Sequence, residues 1–214
     1  MRTQKSSLLT YSSFKAIRKL IFNRNSFLRK NGWLLSMSNS TPYDEIGDYL
    51  PWMNYGIIHL LKQRLNNQLE LFEFGCGYSS LFYAKRVKSI TSVEHNEKWY
   101  NTVRTMLPCN ANVIYQSEDQ DGKYARKITG MNKKYDIVII DGIDRVNCVK
   151  QSIHHLQPSG VILLDDSDRA EYKEAFDYAS EHGFRSLDFL GIKPTGYKEY
   201  LSSILYRDKN CLGI

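Results

Sequence analysis

The chain has 214 residues, enough for one domain with a full core and too short for two of ordinary size. Hydrophobic residues make up 42% and charged residues 24%, the balance of a soluble globular protein, and no run approaches the roughly 20 apolar residues of a membrane-spanning helix. The net charge of +6 is unevenly spread, since residues 1–43 hold eight Lys or Arg and no acid while the rest carries 21 basic against 23 acidic residues, a distribution that excludes a uniformly basic nucleic-acid-binding surface.

Ser13 to Phe22 reads as a short amphipathic helix, with Phe14, Ile17 and Ile21 on one face. Lys15, Arg18, Lys19 and Arg24 interrupt its apolar residues, so no signal-peptide core forms. Residues 36–48 read as a linker or loop, and Pro51 is placed to open a helix running through Leu65. From Leu69 strands and helices alternate. Strands are expected at Leu69–Phe74, Ile90–Val93 (ending at Glu94), Asn112–Tyr115, Tyr135–Ile140 and Val161–Leu164. Helices are expected at Ser79–Val87, Asn96–Leu107, Arg145–Leu156 and Arg169–His182, the last stopped by Gly183. Pro158-Ser159-Gly160 reads as a turn, and Phe184–Leu190 and Tyr200–Tyr206 as two closing strands. The alternation predicts an α/β fold, a doubly wound and mostly parallel sheet with helices on both faces. The four cysteines, Cys76, Cys109, Cys148 and Cys211, form no CxxC pair and fit free thiols in a reducing cytoplasm.

Ligands on such sheets bind beyond the carboxyl ends of the strands. Those ends read Glu73-Phe74-Gly75-Cys76-Gly77, Glu94-His95, Asp141-Gly142 and Asp165-Asp166. Gly75 and Gly77 can take backbone angles closed to other residues. Glu94 ends the following strand, where a carboxylate can accept both ribose hydroxyls of a nucleoside. A dinucleotide needs a clear helix N-terminus for its pyrophosphate, which Glu73 would repel; S-adenosylmethionine (SAM) is a cation, which Glu73 suits.

The segments Phe72-Glu-Phe-Gly-Cys-Gly-Tyr-Ser-Ser80, Val93-Glu-His-Asn96, Tyr135-Asp-Ile-Val-Ile-Ile-Asp-Gly142 and Leu156-Gln-Pro-Ser-Gly-Val-Ile-Leu-Leu-Asp165 resemble, in order and interval, the motifs of class I SAM-dependent methyltransferases. The resemblance covers roughly residues 50–207 and implies a seven-stranded sheet with an antiparallel last strand. With the charge distribution, it divides the chain into a basic arm, 1–43, and a SAM-binding domain, 44–214. It also implies that Gly75, Gly77 and Ser79 line the methionine portion of SAM, that Glu73 holds its amino group, and that Glu94 binds the ribose with His95 at its border. Ser117, Glu118 and Asp119 then fall at the adenine.

Three roles stay open for the acids after the fourth and fifth strands. Asp141 or Asp166 could act as general base toward an acceptor. Asp141, Asp165 and Asp166 could bind a divalent cation, as metal-dependent catechol-type O-methyltransferases do with an Asp and an Asp-Asn pair. Here the pair is Asp-Asp, and Asp144 and Arg145 stand where those enzymes carry a lysine. Alternatively Asp141 touches SAM while Asp165, Asp166, Ser167 and Asp168 cap a helix. Trp52 and Tyr55 are placed either over the cofactor or in the core. For residues 1–35 the readings are an anionic membrane surface, an RNA- or phosphate-binding extension, or a helix docked on the domain. The expected function is a cytoplasmic enzyme of the EC 2.1.1 class, peripheral to the inner membrane surface if the arm binds lipid. Its expected reaction is O-methylation of a small-molecule or sugar acceptor. The alternatives are an RNA methyltransferase, a non-catalytic nucleoside-binding module and an NAD-dependent oxidoreductase.

Overall fold

The computed structural model describes residues 11–118 and 121–214. Three helices come first, α1 (Tyr11–Phe22), α2 (Phe27–Lys30) and α3 (Trp33–Asn39), followed by α4 (Tyr55–Arg64). The chain then alternates through β1 (Glu70–Phe74), α5 (Tyr78–Ala84), β2 (Ser89–Glu94), α6 (Glu97–Val103), β3 (Ala111–Tyr115), β4 (Tyr135–Ile140), α7 (Arg145–Ile153), β5 (Leu156–Asp165) and α8 (Lys173–Glu181). It closes with β6 (Arg185–Gly191) and β7 (Tyr200–Tyr206). The seven strands lie in the order β3-β2-β1-β4-β5-β7-β6, and β7 runs antiparallel to both its neighbours. The strand number and the antiparallel last strand match the sheet that the sequence resemblance implies.

The sheet is buried on both faces, which is why β4 reads as an almost unbroken apolar run. Ile137 and Ile139 face one core with Leu71, Phe82, Val161 and Leu163, covered by α4 and α5. Val138 and Ile140 face the other with Phe72, Phe74, Ile162 and Leu164, covered by α7 and α8. Because side chains alternate along a strand, Glu73 shares the face of Leu71, and Asp165 that of Leu163. Two carboxylates are thus set among apolar neighbours, and both are fully buried.

Several boundaries differ from the sequence reading for local reasons. Pro51 does not open a helix; α4 begins at Tyr55, capped by the Asn54 side chain, which accepts from the Ile57 amide at 3.1 Å. Residues 36–48 begin with the last turn of α3 rather than as a linker, and the Asp44 carboxylate folds the second half of the segment by accepting from the Ile46 and Asp48 amides. Pro158-Ser159-Gly160 lies inside β5. The β4–β5 register jumps from Tyr135↔Leu156 to Ile137↔Val161, so the turn signal marks a bulge. No side chain of residues 165–168 caps α8, which follows a 3₁₀ turn at Ala170–Tyr172.

The segment before Asp44 meets the domain through α2 and α3. The Trp33 indole donates to the Gly196 carbonyl at 2.8 Å, and the Phe27 ring stands edge-on to Tyr55 at 5.5 Å. Docking of this kind does not extend to the apolar face of α1. Phe14 is 63% exposed, Leu20 49% and Ile17 41%.

Candidate functional site

A cleft of about 330 Å³ opens at the carboxyl ends of β1, β2 and β4. Its floor begins with the β1–α5 turn. The Gly75 amide donates to the Val93 carbonyl at 2.9 Å, and the Asp141 amide to the Phe74 carbonyl at 2.9 Å, so the turn is clamped between β2 and β4. Gly75 has φ +89°, and a Cβ there would stand 2.8 Å from the Asp141 carbonyl oxygen. Both the torsion and the backbone contact demand glycine. Gly77 differs from expectation: it is extended at φ 172°, and a Cβ would meet only the Trp99 ring at an ordinary 3.6 Å. Gly75→Ala should therefore cost about 1–3 kcal/mol of stability, measured by urea denaturation, while Gly77→Ala should cost much less.

Glu94 closes β2 and is nearly buried. Its two oxygens accept from the Cys76 amide at 3.1 Å and the Asn96 amide at 2.8 Å, which joins the glycine turn to the start of α6. Asn96 caps α6 by accepting from the Trp99 amide, and the Trp99 indole returns to donate to the Cys76 carbonyl at 2.7 Å. His95 lies in the cleft wall with a buried Nδ1 that makes no hydrogen bond among the described residues, although it stands 3.2 Å from Glu94 Oε1. Tyr78 is held between Tyr49, stacked at 4.6 Å, and the edge of Trp99 at 5.6 Å. Trp52, 48% exposed, lines the cleft, whereas Tyr55 is buried in the core; the two aromatics divide the two roles open to them.

The cleft brings together Gly75, Gly77, Ser79, Glu94, His95 and Asp141 from the sequence reading. Glu73 must be corrected: it does not reach the cleft but lies fully buried beneath the turn. Its carboxylate accepts from Ser79 and Ser80 at 2.5 Å each, and from its register partner Ser92 at 2.7 Å. Burial pushes its pKa up to about 7, reinforced by the Glu94 charge and resisted by the three hydroxyls. Ser117 and Glu118 lie exposed beyond β3, apart from the cleft lining. Asp119 lies outside the described residues.

The acids after β4 and β5 separate into two environments. Asp141 lines the cleft, and burial, then the Asp165 charge, raises its carboxyl well above the ordinary range, against the pull of Arg145. Arg145 Nη2 stands 3.2 Å from Asp141, its Nε donates to the Gly142 carbonyl at 2.9 Å, and its Nη1 donates to the Asp165 carbonyl. Asp165 and Asp166 do not line the cleft. A residue the sequence reading missed lies between them: Lys193, from the β6–β7 connection, donates to Asp165 at 2.6 Å and Asp166 at 2.7 Å. Ser202, the register partner of Asp165, donates to its other oxygen at 2.6 Å. Arg169 also pairs with Asp166 at 2.9 Å. Burial would raise the Asp166 carboxyl, but the hydrogen bond and charge of Lys193, with both arginines, leave it below its ordinary value. A lowered pKa and three cationic partners, Lys193, Arg169 and the more distant Arg145, make Asp166 a poor base, which corrects its catalytic assignment. The divalent-cation reading also fails on the donor set, because Lys193 Nζ holds the place between the carboxylates where a cation would sit. Among the described residues no group of three His, Cys, Asp or Glu side chains could hold a metal ion.

Comparison with known proteins bears on the fold. No family model matches the sequence, and no curated protein does. Solved structures do match. Precorrin-6y C5,15-methyltransferase from Geobacter metallireducens superposes with a TM-score of 0.56 at 16% identity, covering 71% of this chain and 87% of that one. An rRNA methylase from Streptococcus thermophilus gives 0.52 at 12% identity, covering 70% and 93%. Spermidine synthase from Thermotoga maritima gives 0.54 at 15% identity, covering 72% and 57%. One fold thus carries several reactions among these neighbours, so the reaction of this chain has to be argued from its cleft. What the strand order and the superpositions establish together is that the chain has the Rossmann-like fold of class I SAM-dependent methyltransferases.

Proposed function

We propose that the protein binds SAM in the cleft and transfers its methyl group to a hydroxyl of a small-molecule or sugar acceptor. The observation that carries this reading is the charge of the cleft. Glu94 and Asp141 line it, Glu73 lies directly beneath, and no Lys or Arg is among its lining residues. Such a cleft favours a cationic ligand and disfavours the pyrophosphate of a dinucleotide. The backbone around Gly75 offers close approach, Glu94 in the cleft lining is the acceptor we assign to a ribose, and Trp52, Tyr78 and Trp99 supply aromatic faces for an adenine or a sulfonium. The residues therefore fit SAM, which when bound supplies an electrophilic methyl group and leaves as S-adenosylhomocysteine.

The acceptor must lose a proton as its oxygen takes the methyl. Asp141 is the candidate base, being in the cleft and holding a raised pKa; Arg145 orients it from behind. Asp166, tied to Lys193 and Arg169, lacks both properties.

Thermal unfolding with SAM, S-adenosylhomocysteine and NAD tests the cofactor. A ligand at about 100 times its Kd adds roughly 2.7 kcal/mol, a shift of a few degrees. The expected result is a shift with the two sulfur ligands, abolished or much reduced in Glu94→Gln. Asp141→Asn should retain a shift, smaller than the parent's because one of the two lining carboxyls is gone, and lose about 100-fold or more in turnover of a hydroxyl acceptor at saturating SAM. A shift with NAD alone would overturn the cofactor assignment, and unchanged turnover in Asp141→Asn would overturn the base.

A further inference from the structure

We propose that α1 is a docking element for an anionic lipid bilayer, a role that does not depend on the reaction above. At 3.6 residues per turn, Phe14, Ile17, Leu20 and Ile21 fall within an arc of about 120°, while Lys15, Arg18 and Lys19 fall on the opposite flank. In most helices of this pattern the apolar arc covers a core. Here Phe14, Ile17 and Leu20 face water, and Phe22 at the end of the helix is 67% exposed. The helix is nonetheless anchored. It packs on α2, where Arg29 Nε donates to the Ile21 carbonyl at 2.7 Å, and α3 is pinned to the domain by Trp33. The fold therefore holds an apolar arc outward in a fixed place.

Charge selects the occupant. Residues 1–43 contain eight Lys or Arg and no acid. Among the described residues no carboxylate pairs with Lys15, Arg18 or Lys19. A second copy would bring the same cations against these and be repelled. A nucleic acid would answer the cations and leave the apolar arc in water. An anionic bilayer answers both: phosphate headgroups meet the cations, whose stems reach along the interface, and the acyl boundary takes Phe14, Ile17 and Leu20. No described helix is long and apolar enough to cross a membrane, so the geometry is that of a helix lying on the surface.

The test is sedimentation of the full chain with phosphatidylcholine vesicles, with and without phosphatidylglycerol, at low and high salt. Binding is expected with phosphatidylglycerol, with strong weakening by salt. The triple variant Lys15→Glu, Arg18→Glu, Lys19→Glu should lower the partition coefficient by at least about 100-fold, since each cation near an anionic surface counts for about a fivefold change and the variant reverses three charges. The variant Phe14→Ser, Ile17→Ser, Leu20→Ser should lower it at least tenfold at constant charge. Both sets lie on an exposed face, so the unfolding temperature should not move. Three results would each overturn the proposal. One is no binding to phosphatidylglycerol vesicles. Another is vesicle binding unaffected by the serine variant. The third is self-association that the serine variant abolishes, which would assign the face to a second copy. Salt-sensitive retention by RNA with no vesicle binding would assign the cations to nucleic acid.

Discussion

Lys193→Met should destabilise the protein by about 3–5 kcal/mol, the cost of leaving a buried charge without its partner. Asp165 is fully buried, and Lys193 is the only cation in hydrogen-bond contact with its carboxylate among the described residues. Asp166 would retain Arg169 and the more distant Arg145. The loss should be largest at alkaline pH. A carboxyl left unpaired in the interior takes up a proton more readily than in the unfolded chain, so its penalty shrinks as the pH falls. Urea denaturation at pH 5.5 and pH 8 checks both size and sign. The double variant Lys193→Met, Asp165→Asn removes both charges and should recover much of the loss, because an amide can still accept from Ser202. If the single variant were as stable as the parent at pH 8, Lys193 would not be the counter-ion of the pair. The larger consequence is topological. The Lys193 ammonium joins the end of β5 to the β6–β7 connection, and so ties the closing antiparallel strands to the carboxyl edge of the parallel sheet.

That bond illustrates what a sequence hides. The strands were legible because burial on both faces leaves apolar runs at Leu71–Phe74, Tyr135–Ile140 and Val161–Leu164, and because acids recur at their carboxyl ends. The cleft was legible for the same reason: Gly75, Glu94 and Asp141 lie next to strand ends, and the parallel sheet aligns those ends. Lys193 belongs to no periodic element and lies 27 residues from Asp166, so only charge balance hinted at it. Two adjacent Asp at a buried strand end call for a cation, and a lysine in the loop between the last two strands can reach them. Glu73 was placed on the wrong side of the turn because its face depends on strand alternation: it follows Leu71 into the core. Gly77 looked like Gly75 because glycine is a permission, and a sequence does not record whether the permission is used. The exposed arc of α1 was hidden for another reason. Its pattern is that of a helix covering a core, and only the placement of α2 and α3 shows where the core lies.

Glu73 leads to a prediction about pH. Its carboxyl has a pKa of about 7 in the folded protein against an ordinary value of 4.5. Between those values the folded chain holds a proton that the unfolded chain has released. Stability therefore falls as pH rises from about 4.5 toward 7, and the contribution is flat above that range. The full difference is about 3 kcal/mol, an upper figure because the three serine hydroxyls can turn to favour either form. Glu73→Gln keeps the shape, cannot ionise, and still offers an oxygen to the hydroxyls. Relative to the parent, the glutamine variant should gain stability steadily across that window, reaching its advantage by pH 7.5. Denaturation midpoints of both proteins at half-unit steps would show it as two curves that diverge with rising pH. Parallel curves would mean that Glu73 is ionised throughout, with the serines alone sufficient to hold a buried charge. The outcome bears on the cleft as well. A protonated Glu73 leaves the acidity met by a cationic ligand to the carboxyls that line the cleft, whereas an ionised one adds a charge directly beneath Ser79. The same titration in the presence of SAM therefore distinguishes a turn that merely tolerates a cation from one whose buried acid is charged by it.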